Sequence, residues 1–60
     1  MSTDDSWRRG FVEGYRSISP GVTPSVPARP AEYPASVTTE GLDGYYYRLG
    51  YEAGRAEAAA

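Results

Sequence analysis

The 60-residue sequence contains no cysteine, histidine, lysine, asparagine or glutamine. Without cysteine, neither a disulfide nor a thiolate-bound metal can stabilise the chain. Without histidine, lysine and cysteine, it also lacks the commonest general bases and activated nucleophiles of enzymes. Asp4 and Asp5 are adjacent, but their position indicates charges at the start of a helix rather than a metal site. We therefore expect a non-enzymatic binding protein with no cofactor and no metal.

The sequence also lacks targeting features. Its first residues are acidic and polar, unlike the basic and then apolar start of a signal peptide. No apolar run approaches the roughly 20 residues that a membrane span needs. Arginine is the only basic residue type, and alanine, glycine and proline are abundant, which suggests a GC-rich bacterial genome or a phage adapted to one. We expect a single small domain, 1–60, in the cytoplasm of a bacterial host and away from membranes.

Two segments have helical patterns. Residues 3–18 are expected to form the first helix, with Thr3 as its N-cap and Asp4 and Asp5 at the positive end of its dipole. Residues 39–58 are expected to form the second helix, since the alanine-rich end favours helix. Three polar residues are candidates for its start: Thr38, Thr39 and Asp43.

The two predicted helices contain an internal sequence repeat with an offset of 40 residues. Residues 7–14 and 47–54 share the pattern aromatic-Arg-x-Gly-aromatic-x-x-Gly. At about 100° per residue, these positions form one stripe on each helix. The helix-packing residues predicted from the repeat are Trp7, Gly10, Phe11, Gly14, Tyr47, Gly50 and Gly54.

The four glycines of the stripes predict how the helices pack. Glycine within a helix costs roughly 0.8–1 kcal/mol relative to alanine, so four cost about 3–4 kcal/mol. Close approach of the two helix backbones would offset this cost. We therefore predict an all-α fold, an antiparallel two-helix hairpin with an approximate twofold axis. The alternative is that the glycines merely weaken a partly disordered chain.

Residues 19–36 contain all five prolines. Pro24, Pro27 and Pro30 recur at every third residue, which places them on one edge of a polyproline II helix. We expect this proline-rich connector to lie across the second helix as an ordered strand. Two alternatives stay open, a flexible spacer and a docking motif for a proline-recognising domain.

The second helix has a further apolar face that the first helix lacks. Tyrosine and arginine recur at protein interfaces. This face consists of Leu42, Tyr45, Tyr46, Leu49 and Ala53. The predicted partner-binding residues are Tyr45, Tyr46 and Leu49 of this face and Tyr51 beside it, with Arg48 and Asp43 at the rim. The alternative is that the tyrosines form a core beneath the prolines, and for Tyr47 and Tyr51 packing is the preferred interpretation.

Small size, a net charge of −2 and the absence of catalytic groups resemble the anti-CRISPR class of phage and mobile-element inhibitors. The resemblance implies a protein that binds a subunit of a CRISPR effector, a larger host complex, and blocks binding of target DNA. Eight acidic residues also allow DNA mimicry. Because six arginines are interspersed among them, an ordinary solvated surface is the preferred interpretation.

Residues 9–14 and 49–54 resemble the Gly-aromatic-x-x-Gly helices of the ribosome modulation factor family. That resemblance implies a two-helix protein that binds the ribosome. The acidic pI near 4.8 and the absence of lysine argue against direct nucleic-acid binding, and the long proline-rich connector is foreign to that family. A third possibility is a small structural module that forms a homodimer or larger homo-oligomer.

Overall fold

A computed structural model describes residues 2–60 of the chain. Helix α1 spans Thr3–Ile18, and helix α2 spans Leu42–Ala59 after a 3₁₀ turn at Thr39–Gly41. Residues 2–60 contain no strand, and α1 packs along α2. The predicted all-α, two-helix class is thus confirmed. Neither helix has the length and apolar character that a membrane span requires.

Polar side chains cap α1 and the 3₁₀ turn that precedes α2. The N-cap of α1 is Ser2, one residue before the predicted Thr3, and its hydroxyl accepts from the backbone N–H of Asp5 at 3.1 Å. Thr38 caps the 3₁₀ turn, where its hydroxyl accepts from the N–H of Gly41 at 3.2 Å. Each cap satisfies a backbone donor that the first turn leaves without a partner.

The two helices run in the same direction, so the predicted antiparallel orientation is wrong. Gly10 lies against the backbone of Tyr47, and Gly14, one turn later, lies against the backbone of Tyr51. Later residues of α1 therefore contact later residues of α2, and the difference in residue number between contacting residues stays constant. In an antiparallel pair, the later glycine would meet an earlier residue of α2.

The contacts on the other side of the seam repeat this arrangement. Gly50 lies against the backbone of Trp7 and Phe11, and Gly54 lies against the backbone of Phe11 and Tyr15. When the two helices are exchanged, the contacts with Trp7 and Phe11 become the contacts of Gly10 and Gly14 with Tyr47 and Tyr51. The two copies of the sequence repeat are therefore related by an approximate internal twofold axis that runs along the parallel helices.

The connector makes the parallel orientation possible. The 16 residues of α1 extend about 24 Å at 1.5 Å per residue, and residues 19–38 can span more than twice that length when extended. Three side-chain bonds trace its return from the end of α1 to the start: Arg16 Nε to the Val22 carbonyl at 3.0 Å, Trp7 Nε1 to the Pro27 carbonyl at 2.8 Å, and Arg29 Nε to the Asp4 carboxylate at 2.7 Å. The connector is therefore an extended segment held against the helices.

The core lies between the helix pair and the connector. Trp7, Phe11 and Tyr46 are 6%, 3% and 1% exposed, and Val26 of the connector packs against them. Partly buried residues of both helices surround this cluster: Tyr15, Leu42, Tyr45, Leu49 and Ala53. The apolar face that the sequence showed on the second helix is thus the face that the connector covers.

Candidate functional site

The twofold axis gives the helix pair two equivalent faces, and the connector covers one of them. The covered face carries Trp7 and Phe11 of α1 beneath Val26 and Pro27. Tyr47 and Tyr51, at the equivalent positions of α2, lie on the opposite face, where only helix residues surround them. They are half-buried, whereas Trp7 and Phe11 are buried. We call this second surface the open face.

Two aromatic rings lie at the centre of the open face. The ring centroids of Tyr47 and Tyr51 are 6.2 Å apart, and the ring planes are inclined by 42°. The guanidinium of Arg9 lies 6.0 Å from the centroid of the Tyr47 ring, within the range of a cation–π contact. The Tyr47 hydroxyl donates a hydrogen bond to the carboxylate of Glu13. Side chains from both helices therefore fix the ring of Tyr47.

The bond to Glu13 also affects the acidity of Tyr47. It raises the pKa of the Tyr47 phenol, with a further increase from desolvation and from the negative charge of Glu13. A phenol is neutral at pH 7 at its ordinary pKa, and this bond extends the neutral, hydrogen-bond-donating form of Tyr47 to higher pH.

Charged side chains border the two rings. Two shallow depressions meet at Gly44 and Tyr47. Their charged lining residues are Arg9, Glu13 and Asp43 in one, and Arg48, Glu52 and Arg55 in the other. An aromatic centre within a rim of mixed charge has the composition of a protein–protein interface.

Each face also includes residues of the helix that does not supply its aromatic pair, and these residues differ between the faces. Ser6, Arg9 and Glu13 on the open face occupy the positions equivalent to Tyr46, Leu49 and Ala53 on the covered face. Ser6 is buried and donates to the carboxylate of Asp43 at 3.3 Å. The open face is therefore more polar than the covered face, which is consistent with its contact with solvent in the isolated chain.

Tyr46 does not lie on the open face, and its predicted role as a partner contact is corrected. It is the most deeply buried large side chain. Its hydroxyl donates to the Pro30 carbonyl at 2.8 Å, Arg29 lies 4.8 Å from its ring centroid, and Tyr33 packs edge-on against it. The alternative interpretation, a core beneath the prolines, describes this residue.

The other predicted contact residues lie in two places. Tyr45 and Leu49 are partly buried and pack against the core. Tyr51 and Arg48 line one depression of the open face, and Asp43 lines the other. The open face therefore includes three of the six predicted contact residues.

Several residues of the open face lie outside the predicted contact set, among them Tyr47, Arg9 and Glu13. Tyr47 was predicted only to pack between the helices. The 40-residue offset of the repeat could have identified Tyr47 as a residue of an uncovered face. In a parallel pair, residues related by this offset lie on opposite faces, so a buried Trp7 indicates an uncovered Tyr47.

Asp4, in the acidic pair at the start of α1, holds the connector. The Asp4 carboxylate is bonded to Arg29, and this bond raises the pKa of the Arg29 guanidinium further above its usual range. Residues 2–60 contain no group of three or more acidic, histidine or cysteine side chains arranged to hold a metal ion.

Comparison with known proteins identifies no relative: no protein-family model, curated protein or solved structure matches this chain. The site is therefore interpreted from its own residues.

Proposed function

We propose that this protein is a non-enzymatic, stoichiometric protein-binding inhibitor or adaptor, and that the open face is its binding surface. The observation that carries the proposal is the contrast between two equivalent faces. The connector reduces the exposure of Trp7 and Phe11 to 6% and 3%. The equivalent Tyr47 and Tyr51 remain half-buried and are available to a partner.

The residues of the open face suit a protein partner. Tyrosine and arginine dominate the energetics of protein interfaces because they combine a large apolar area with polar ends. Tyr47 is held in place by Glu13 and Arg9, so little side-chain entropy is lost when a partner covers it. Acidic and basic groups alternate around the rings, which favours a protein surface over the uniformly negative backbone of DNA or RNA.

The partner class that we propose is a subunit of a larger host machine, in the manner of an anti-CRISPR protein that prevents a CRISPR effector from binding its target DNA. Small size, a net charge of −2 and the absence of histidine, lysine and cysteine support this class. The mixed charge of the open face supports direct contact with the effector subunit over mimicry of DNA.

A pair of charge reversals tests the proposal. Arg48 lines the open face, and Arg8 is its twofold equivalent beside the connector. Both side chains are exposed, so Arg48→Glu and Arg8→Glu make the same change in equivalent helical positions. Each tagged variant is used as bait in a lysate of a GC-rich bacterium with an active CRISPR system, and the captured proteins are quantified by mass spectrometry.

We expect the wild type and Arg8→Glu to retain a stoichiometric, nuclease-resistant partner, and Arg48→Glu to lose most of it. Equal capture by both variants would contradict the assignment of the open face. Recovery of the bait alone, with a mass that rises with concentration, would contradict the inhibitor proposal and favour a homo-oligomeric module.

A second candidate is a ribosome-binding protein similar to ribosome modulation factor. The observation that favours it is structural: Gly10, Gly14, Gly50 and Gly54, which carry the resemblance, form the seam between the helices. In this chain, helix packing accounts for the pattern, which does not by itself imply contacts with RNA. Capture of ribosomal components that nuclease treatment removes would favour this candidate over the first.

A further inference from the structure

We infer that the open face binds an extended, proline-containing segment of the partner protein, in the same manner as the covered face binds the connector. The inference rests on the proposed function, because it names the kind of segment that the open face accepts. It also rests on the internal twofold axis, which makes the docking of the connector an observed example of such binding.

Besides the Arg29–Asp4 ion pair, apolar packing and hydrogen bonds to backbone carbonyls hold the connector. Val26 packs into the core beside Phe11, and the carbonyl of Pro27 accepts from Trp7 Nε1 at 2.8 Å. A proline has no backbone N–H, so a proline-rich strand presents mainly carbonyl acceptors. Side-chain donors beside aromatic rings therefore match such a strand, as they do in aromatic grooves that recognise polyproline II segments.

The open face has the same layout around Tyr47. The set Asp4, Trp7 and Arg8, which lines a depression against the connector, becomes Gly44, Tyr47 and Arg48 on the open face. The equivalent of Phe11 is Tyr51. An aromatic pair flanked by an arginine donor thus recurs at equivalent positions. No strand lies across the second copy of this layout. It is also more polar, because Ser6, Arg9 and Glu13 replace Tyr46, Leu49 and Ala53, and its Tyr47 hydroxyl is bonded to Glu13.

Gly44 increases the space for a strand on the open face. On the covered face, Asp4 at the equivalent position bonds Arg29 of the connector. At Gly44, an added Cβ would have no neighbouring atom within 4 Å. A bound strand therefore needs no arginine at this point, and its backbone can approach the helix closely.

The experiment titrates the isotopically labelled full chain with a synthetic peptide of sequence 22–33 and records amide chemical shifts. The control peptide has alanine in place of its prolines at positions 24, 27 and 30, with unchanged length and charge. We expect saturable shifts centred on residues 44–51 and at least tenfold weaker binding of the control peptide. Arg48→Glu should weaken binding of the proline peptide at least fivefold, and Arg8→Glu should not.

Four results would overturn the inference. The first three are the absence of saturable shifts, equal binding of the two peptides, and shifts confined to Trp7 and Phe11, which would mean that the peptide displaces the connector. Shifts of residues 44–51 on concentrating the protein alone would also overturn it, because a second copy would then occupy the face. The capture experiment separates the two claims: a partner lost with Arg48→Glu would uphold the proposed function even if the peptide failed to bind.

Discussion

Replacement of Gly14 by alanine should destabilise the protein although alanine is the better helix former. A Cβ at Gly14 would overlap the carbonyl oxygen of Tyr51 and lie 2.8 Å from its carbonyl carbon and 2.9 Å from its Cα. All three atoms belong to the backbone of α2. No side-chain rotation can therefore relieve the contact, and the two helices must separate.

The magnitude follows from two opposing effects. Alanine gains about 0.8–1 kcal/mol over glycine within a helix. Overpacking of a close contact costs typically about 1–3 kcal/mol, and a gap of about 0.5–1 Å between the helices removes a quarter to a half of the dispersion energy across it. We expect a net loss of about 1–2 kcal/mol or more, out of roughly 3–9 kcal/mol for a domain of this size.

Thermal unfolding followed by circular dichroism at 222 nm measures this loss. At about 4–8 °C per kcal/mol for a small domain, Gly14→Ala should lower the Tm by roughly 5–15 °C. Gly44→Ala is the matched control, since Gly44 lies in helix α2 with open space around it, and it should raise the Tm by roughly 3–8 °C. A Tm of Gly14→Ala at or above the wild-type value would refute the close helix seam.

Three further predictions concern the side chains that hold the two faces. Trp7→Phe removes the bond to the Pro27 carbonyl and should lower the free energy of unfolding in urea by about 1–2 kcal/mol; an unchanged value would mean that this bond does not hold the connector. Tyr46→Ala should cost about 3–5 kcal/mol and abolish binding and cooperative melting together, whereas lost binding with intact melting would return this residue to the interface. The bond to Glu13 raises the pKa of Tyr47, so its stabilisation is complete below the ordinary tyrosine pKa of about 10 and is lost as pH rises through the higher folded value. The Tm of the wild type should therefore fall more steeply above about pH 10 than that of Tyr47→Phe, and equal slopes would contradict this assignment.

Local features of the sequence predict the helices well. Polar caps, acidic first turns and an aromatic–glycine stripe each specify structure within a few residues. The four seam glycines also predict a close approach, since their cost in isolated helices needs an offset of this kind. Each of these features depends only on the spacing of residues within one helix, which can be read directly from the sequence.

The orientation of the helices and the role of Tyr46 depend on more distant relationships. A stripe with helical period is the same for a parallel and an antiparallel partner, so the repeat alone cannot choose between them. The length of residues 19–38 permits the parallel return. The bond of Trp7 to the Pro27 carbonyl and the bond of Arg29 in the connector to Asp4 hold it. Only this path shows which aromatic residues are covered, and it places Tyr46 inside and Tyr51 on the open face.

The parallel orientation supports both the open face and the inference drawn from it, and one measurement tests it directly. The chain has no cysteine, so Asp5→Cys provides a single site for a nitroxide spin label in the first turn of α1. Ser6 bonds Asp43 at 3.3 Å, so the parallel pair predicts strong broadening of the amide signals of residues 42–46. Residues 56–59, about 20 Å further along α2 at 1.5 Å per residue, should be little affected. The reverse pattern, with broadening at residues 56–59 and none at residues 42–46, would contradict the parallel arrangement.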